Sequence, residues 1–220
     1  MSLKLISATP SPYARINRIA LLEKGIPFDL QSEIPWHVSE TQTPKYNPLE
    51  KLPVLIFPDN RAPVYDSAHI QDYIVQKYAD RGPKLMTGDL DTDLQLKQIQ
   101  VLSEGVMDAV VLAFFEKSRE HKSESWLARQ TRKIDGGFGA MEELAKGKPK
   151  GSDYLFADQL TIADIAVVCA VGFCDFNQAV AGWKEKYPAL AAYFQKIDDG
   201  LESFRSTRPV MFDIRRDEVI

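Results

Sequence analysis

A proline heads an apolar strand in Lys51-Leu52-Pro53-Val54-Leu55-Ile56-Phe57, and few local features restrict a chain more. Proline has no backbone N–H, so within a sheet it is confined to an edge, a bulge or a strand's first residue. X–Pro bonds are also the only ones for which the cis form is common enough to be built into a fold. The run predicts a strand entered through a cis Leu52–Pro53 bond, with the Val54 N–H and C=O turned outward to pair with an extended, peptide-like ligand. Two helix starts accompany it. Upstream, the apolar strand Leu3 to Ser7 turns into a helix at Ser11-Pro12-Tyr13; downstream, after the strand Pro63-Val64-Tyr65, Asp66-Ser67 opens another. A hydroxyl at a helix start, a strand edge and a second helix start can thus face one small ligand.

The rest of the chain divides on periodicity. Up to residue 80 strand and helix alternate: residues 12 to 24 carry Ile16, Ile19 and Ala20 at helical spacing, Gly25 and Pro27 end that helix, and Phe28-Asp29-Leu30 is extended. Residues 34 to 50 read as an irregular loop containing a short helix. The order β-α-β, two strands, helix implies a small mixed sheet with helices on its faces. Residues 81 to 89, with Gly82, Pro83 and Gly88, lose periodicity and form a linker. From 90 to 220 the pattern is helical: Asp91 to Lys117, Ser125 to Leu144, Thr161 to Cys174 and Pro188 to Ile197, with a polar tail beyond Ser206. Thr161 and Asp164 have the spacing of a capping box, a structural device for starting a buried helix.

Composition narrows the function classes. With 220 residues, 45% apolar and 26% charged, the chain can bury a core. A net charge of −4 without a long Lys/Arg cluster argues against a nucleic-acid face. No signal-peptide pattern follows Met1, and no apolar run reaches membrane-spanning length, so a soluble, cytoplasmic protein without membrane contact is expected. Cys169 and Cys174 sit on different sides of one apolar helix and read as small buried hydrophobes. His37, His69 and His121 lack metal-ligand spacing, and no metal is expected.

Ser11-Pro12-Tyr13-Ala14-Arg15 with Ile19-Ala20-Leu21-Leu22-Glu23-Lys24-Gly25-Ile26, then Asn47-Pro48-Leu49-Glu50-Lys51-Leu52-Pro53-Val54-Leu55, then Asp66-Ser67-Ala68-His69-Ile70, resemble the soluble glutathione S-transferase family. Leu160-Thr161-Ile162-Ala163-Asp164-Ile165-Ala166 is similar to that family's helix-capping motif. The closest likeness is to bacterial members with an active-site serine. The resemblance implies a thioredoxin-like glutathione-binding domain over residues 1–80, a linker over 81–89 and an all-helical domain over 90–220 that contributes the hydrophobic substrate site. It implies a homodimer, glutathione as co-substrate and no metal.

The same resemblance makes Ser11 the group that stabilises the glutathione thiolate, with Thr9 or a backbone N–H near Tyr13 the alternative. Asp66 pairs with the γ-glutamyl ammonium and Ser67 with its carboxylate. Val54, with Leu52 and Pro53 just before it, pairs with the cysteinyl part, and Lys51 reaches the glycyl carboxylate. Tyr13, Trp36, Met107, Val111 and Phe115, with Phe114 and Phe173 or Phe176, are candidates for the wall of an electrophile site between the domains. Glu104 and Asp108, one turn apart, read as a solvated or interface stripe. The expected activity is conjugation of glutathione to a small hydrophobic electrophile. A glutathione-dependent isomerase and a non-catalytic, glutathione-binding regulatory or stress protein are the alternatives. Disulfide exchange is disfavoured, because no cysteine lies in the first eighty residues.

Overall fold

A computed structural model describes residues 2–34, 41–59, 61–156 and 158–211. The chain falls into two units: residues up to Lys84 together with the segment from Ser206, and Leu85–Arg205. The first is built on a four-stranded mixed sheet of order β2-β1-β3-β4, formed by β1 (Leu3–Ser7), β2 (Phe28–Ser32), β3 (Val54–Ile56) and β4 (Val64–Tyr65). β1 runs parallel to β2 and antiparallel to β3, and β3 is antiparallel to β4. Between β1 and β2 lies α1 (Pro12–Glu23), and α2 (Ser67–Lys77) follows β4 and packs against α1. A single 3-10 turn, Thr43–Lys45, lies in the loop before β3. This is the thioredoxin-like arrangement that the sequence implied.

Local chemistry explains these elements. Pro12 occupies the first turn of α1, where a missing N–H costs nothing. The helix buries Ala14, Ile16, Ile19, Ala20 and Leu21 and stops at Lys24–Gly25, with Gly25 at φ +61°. Gly82 holds the end of the unit close to α1: a Cβ there would lie 2.2 Å from the Glu23 carbonyl oxygen. The segment after Ser206 lies with this unit and not with the helices that precede it. Thr207, itself buried, accepts a hydrogen bond from Arg15 Nε on α1 (3.3 Å).

The second unit is helical: α3 (Leu90–Ser118), α4 (Glu124–Gly147), α5 (Ile162–Phe176), α6 (Trp183–Lys186), α7 (Pro188–Gly200) and α8 (Glu202–Arg205). The four-residue α6 and α8 are too short to register as periodicity. By length and composition α3 is long and apolar enough to cross a membrane, contrary to the sequence expectation. Its buried residues, among them Leu96, Ile99, Val106 and Val110, pack in a bundle with α4 and α5, and Gly137 lets α4 approach Val106 closely. Part of the linker is docked: Leu85 is fully buried, and its carbonyl accepts from Ile162 N–H (2.9 Å).

At the start of α5, the Asp164 carboxylate accepts from Thr161 N–H (2.8 Å), the Thr161 hydroxyl (2.6 Å), Leu155 N–H (2.9 Å) and the Tyr193 hydroxyl (2.7 Å). The capping box is therefore a hub joining α5, α7 and the loop before α5. Burial pushes the Asp164 carboxyl above its ordinary value, against the pull of these bonds.

Candidate functional site

Ser11 is the N-cap of α1. It has extended backbone geometry, and its Oγ accepts from Ala14 N–H at 3.2 Å. That bond occupies a lone pair and leaves the hydroxyl proton without an acceptor among the described residues. The helix N-terminus adds a field that favours negative charge. Capping and donation to a sulfur anion are therefore compatible, since they use different parts of one hydroxyl. Thr9 lies in the turn between β1 and α1, where Ser11 N–H bonds Ala8 O (3.0 Å).

The Leu52–Pro53 bond is cis, as the sequence predicted. The role assigned to Val54 does not survive the sheet register. Val54 is fully buried and lies opposite both Ile6 on β1 and Tyr65 on β4. In a strand a residue's N–H and C=O point to the same flank, and here both flanks are taken. Leu52, half-exposed just before the strand, has no partner for its N–H or C=O among the described residues. Lys51 is exposed, and its carbonyl accepts from Asn47 Nδ2 (2.9 Å).

A carboxylate that sequence reasoning passes over anchors the loop leading to this edge. Glu33, nearly buried at the end of β2, accepts from Thr41 Oγ1 (2.5 Å), Gln42 N–H (3.0 Å), Thr43 N–H (2.9 Å), Thr43 Oγ1 (2.6 Å) and Gln31 Nε2 (2.6 Å). Burial would raise this carboxyl, but the hydrogen bonds from Thr41, Thr43, Gln31 and Gln42 outweigh it and hold it below the usual value. It thereby pins the 3-10 turn that leads to Asn47 and Lys51.

The second helix start is strained and partly open. Asp66 has φ +75° and ψ +132°, a conformation that L residues with side chains rarely adopt and that tends to cluster at binding sites. Its Oδ1 accepts from Ala68 N–H (3.0 Å) and His69 N–H (3.4 Å), and the residue is exposed. Ser67 is buried, and its hydroxyl is already committed: Oγ donates to Tyr13 O (2.9 Å) and accepts from Asn17 Nδ2 (3.2 Å). What Ser67 offers an anion is its backbone N–H, which at the first helical position has no intrahelical acceptor. The Ser67–Tyr13 bond brings the starts of α1 and α2 together. Asn17, also missed, reinforces it; the only signal was a polar residue on the row Ala14, Asn17, Leu21 that faces inward.

The apolar candidates separate. Met107 is fully buried within α3 and presents no surface to a ligand. Val111 is half-buried, and Phe115 is exposed in edge-to-face contact with Phe114 (5.5 Å). Tyr13 is half-buried at the α1 start, Phe173 is buried, and Phe176 is half-buried in the last turn of α5. Trp36 and His37 lie outside the described residues. Among the described residues no group of three or more His, Cys, Asp or Glu is placed to hold a metal. Cys169 and Cys174 are buried, and burial pushes the Cys174 thiol far up, away from reactivity.

Two helix N-termini and a cis-proline edge on a four-stranded thioredoxin-like sheet, followed by a helical bundle, define the glutathione S-transferase class of fold. Residues 10–77 match the glutathione S-transferase N-terminal domain family and residues 124–196 the C-terminal domain family. The chain is 32% identical to the uncharacterized GST-like protein YibF of Escherichia coli, over 94% of this chain and 98% of that protein. Among solved structures it resembles a glutathione S-transferase from Methylobacterium radiotolerans in complex with glutathione sulfonate (40% identity, TM-score 0.89, 98% of each chain). It also resembles one from Methylobacillus flagellatus with glutathione bound (29% identity, TM-score 0.84, 95% of this chain and 100% of that one). The chain belongs to the glutathione S-transferase family.

Proposed function

We propose that the protein binds glutathione across the starts of α1 and α2 and transfers it, as the thiolate, to a small hydrophobic electrophile. The observation that carries this reading is the Ser67 Oγ–Tyr13 O hydrogen bond, which holds two anion-favouring helix starts side by side. The relatives of similar fold that hold glutathione sulfonate and glutathione support the ligand. Leu52 pairs with the cysteinyl backbone, Ser67 N–H takes the γ-glutamyl carboxylate, Asp66 its ammonium and Lys51 the glycyl carboxylate.

Ser11 donates its unspent proton to the sulfur. A free thiol has a pKa of about 8.5, and lowering it by about two units takes roughly 2.7 kcal/mol of preferential thiolate stabilisation. One hydrogen bond to a charged group supplies about 1.5–3 kcal/mol, and the helix terminus adds to it. No general base is required. The half-exposed Tyr13 and the exposed Phe115 suit an apolar second substrate, and the reading includes a cytoplasmic, detoxifying role.

The test is glutathione titration by calorimetry followed by a panel of electrophiles scored for glutathione consumption. Binding at millimolar glutathione with consumption supports the reading; binding without consumption turns it to an isomerase or a non-catalytic binder; no binding at millimolar concentration overturns it.

The reading includes a homodimer. Leu94 and Val101, seven residues apart on one face of α3, are 66% and 61% exposed, apolar side chains that a second copy related by a two-fold axis would cover. Light scattering across micromolar concentrations gives twice the chain mass if this holds, and the chain mass if it does not.

A further inference from the structure

We propose that Asn17 is a positioning residue: its buried amide fixes the spacing between the starts of α1 and α2, and so the fit of glutathione across them. The inference rests on the glutathione reading above. Asn17 is fully buried, and its Nδ2 reaches three acceptors, Tyr13 O (3.3 Å), Ser67 O (3.2 Å) and Ser67 Oγ (3.2 Å). Two of the three are carbonyl oxygens, which only accept, so the nitrogen of the amide must face them.

Because Ser67 Oγ in turn donates to Tyr13 O (2.9 Å), the contacts close a triangle. It joins the residue two after Ser11 to the first residue of α2. The other half of the amide, Oδ1, is buried with no hydrogen-bond partner among the described residues. A leucine shares the branching of asparagine, though it is larger, and carries no buried acceptor to leave unsatisfied, so helix packing alone does not require an amide here. What the amide adds is direction, holding one relative placement of two helix starts. A ligand gripped at both starts depends on that placement within a fraction of an ångström.

The test is calorimetric titration of glutathione into the wild type, Asn17→Leu, Ser67→Ala and the double variant. Thermal unfolding and the pH dependence of the bound thiolate's ultraviolet absorbance are recorded alongside. Asn17→Leu is expected to bind about tenfold more weakly while still unfolding in one cooperative thermal transition, any lowering of its midpoint reflecting the bulkier side chain. Its bound thiol should ionise over the wild-type pH range, because Ser11 and its bond to Ala14 are untouched. Added to Ser67→Ala, it should weaken binding by no more than about twofold further, since both changes break one triangle. Wild-type affinity in Asn17→Leu, or full additivity in the double variant, overturns the inference and leaves the glutathione reading standing. Failure of the wild type to bind glutathione overturns both. If Asn17→Leu does not fold, Asn17→Ser, too short to reach Ser67, goes through the same titrations with the same expected loss.

Discussion

The starts of α2 and α5 carry nearly the same local sequence signal, an aspartate and a hydroxyl at the head of a helix, and the fold uses them in opposite ways. At α5, Asp164 is fully buried and four donors saturate both of its oxygens. At α2, Asp66 is exposed at positive φ, one of its oxygens caps the helix, and the Ser67 N–H has no partner among the described residues. A saturated, buried helix start can only hold structure. An open, strained one keeps hydrogen-bonding capacity for something that is not part of the chain. Motif spacing does not separate the two cases; burial and the count of partners do.

The largest effect should fall on the closed site. Asp164→Ala leaves four buried donors without an acceptor and is expected to cost at least about 3 kcal/mol of stability, read as a large drop in thermal midpoint. A small drop would mean that the hub is not what starts α5, and the contrast with α2 would collapse. The open site should respond in binding instead. Ser67→Ala loses the tie to Tyr13 and should weaken glutathione by about 1–2 kcal/mol, while the midpoint moves far less than for Asp164→Ala. Equal losses of stability at the two sites would break the comparison.

Glu33 lies between these extremes, nearly buried yet held below its ordinary carboxyl value by its donors. A depressed folded value means that the ionised group stabilises the fold above its unfolded pKa, near 4.3, and that this contribution fades as pH falls through the lower, folded value. Glu33→Gln should therefore cost about 1 kcal/mol at neutral pH, and the gap from the wild type should narrow in acid. A gap that stays constant from neutral to acidic unfolding experiments would assign the effect to packing. The smallest effect is expected for Asp66→Asn, which keeps the cap and tolerates positive φ but removes the charge. Stability should stay within about 0.5 kcal/mol, and glutathione affinity should fall only severalfold, by about 0.2–1 kcal/mol for an exposed pair. Unchanged affinity would remove Asp66 from the ammonium contact.

Signals confined to a few neighbouring residues were legible in the sequence. Pro12 and Pro53, the strand at Leu3–Ser7 and the helical row of α1 each depend on local backbone constraints, and each is where it was expected. Features set by distant partners were not. Val54 was assigned to the ligand because nothing in its own neighbourhood tells that β1 and β4 flank it on both sides. Asn17 and Glu33 gain their roles from residues fifty and ten positions away, and an isolated Asn or Glu gives no notice of that. Met107 has the spacing of a ligand wall and of a helix core alike, and only burial assigns it to the core.

The central claim is that the Ser11 hydroxyl, capping α1 with a lone pair, spends its proton on the glutathione sulfur. Ultraviolet titration of the thiolate of bound glutathione, in the wild type and in Ser11→Ala, tests this most directly. The account predicts that the wild type ionises bound glutathione about two pH units below the free thiol, and that Ser11→Ala shifts the curve upward toward the free value while glutathione still binds. Superimposable curves for the two proteins would contradict it, leaving Ser11 a helix cap and nothing more.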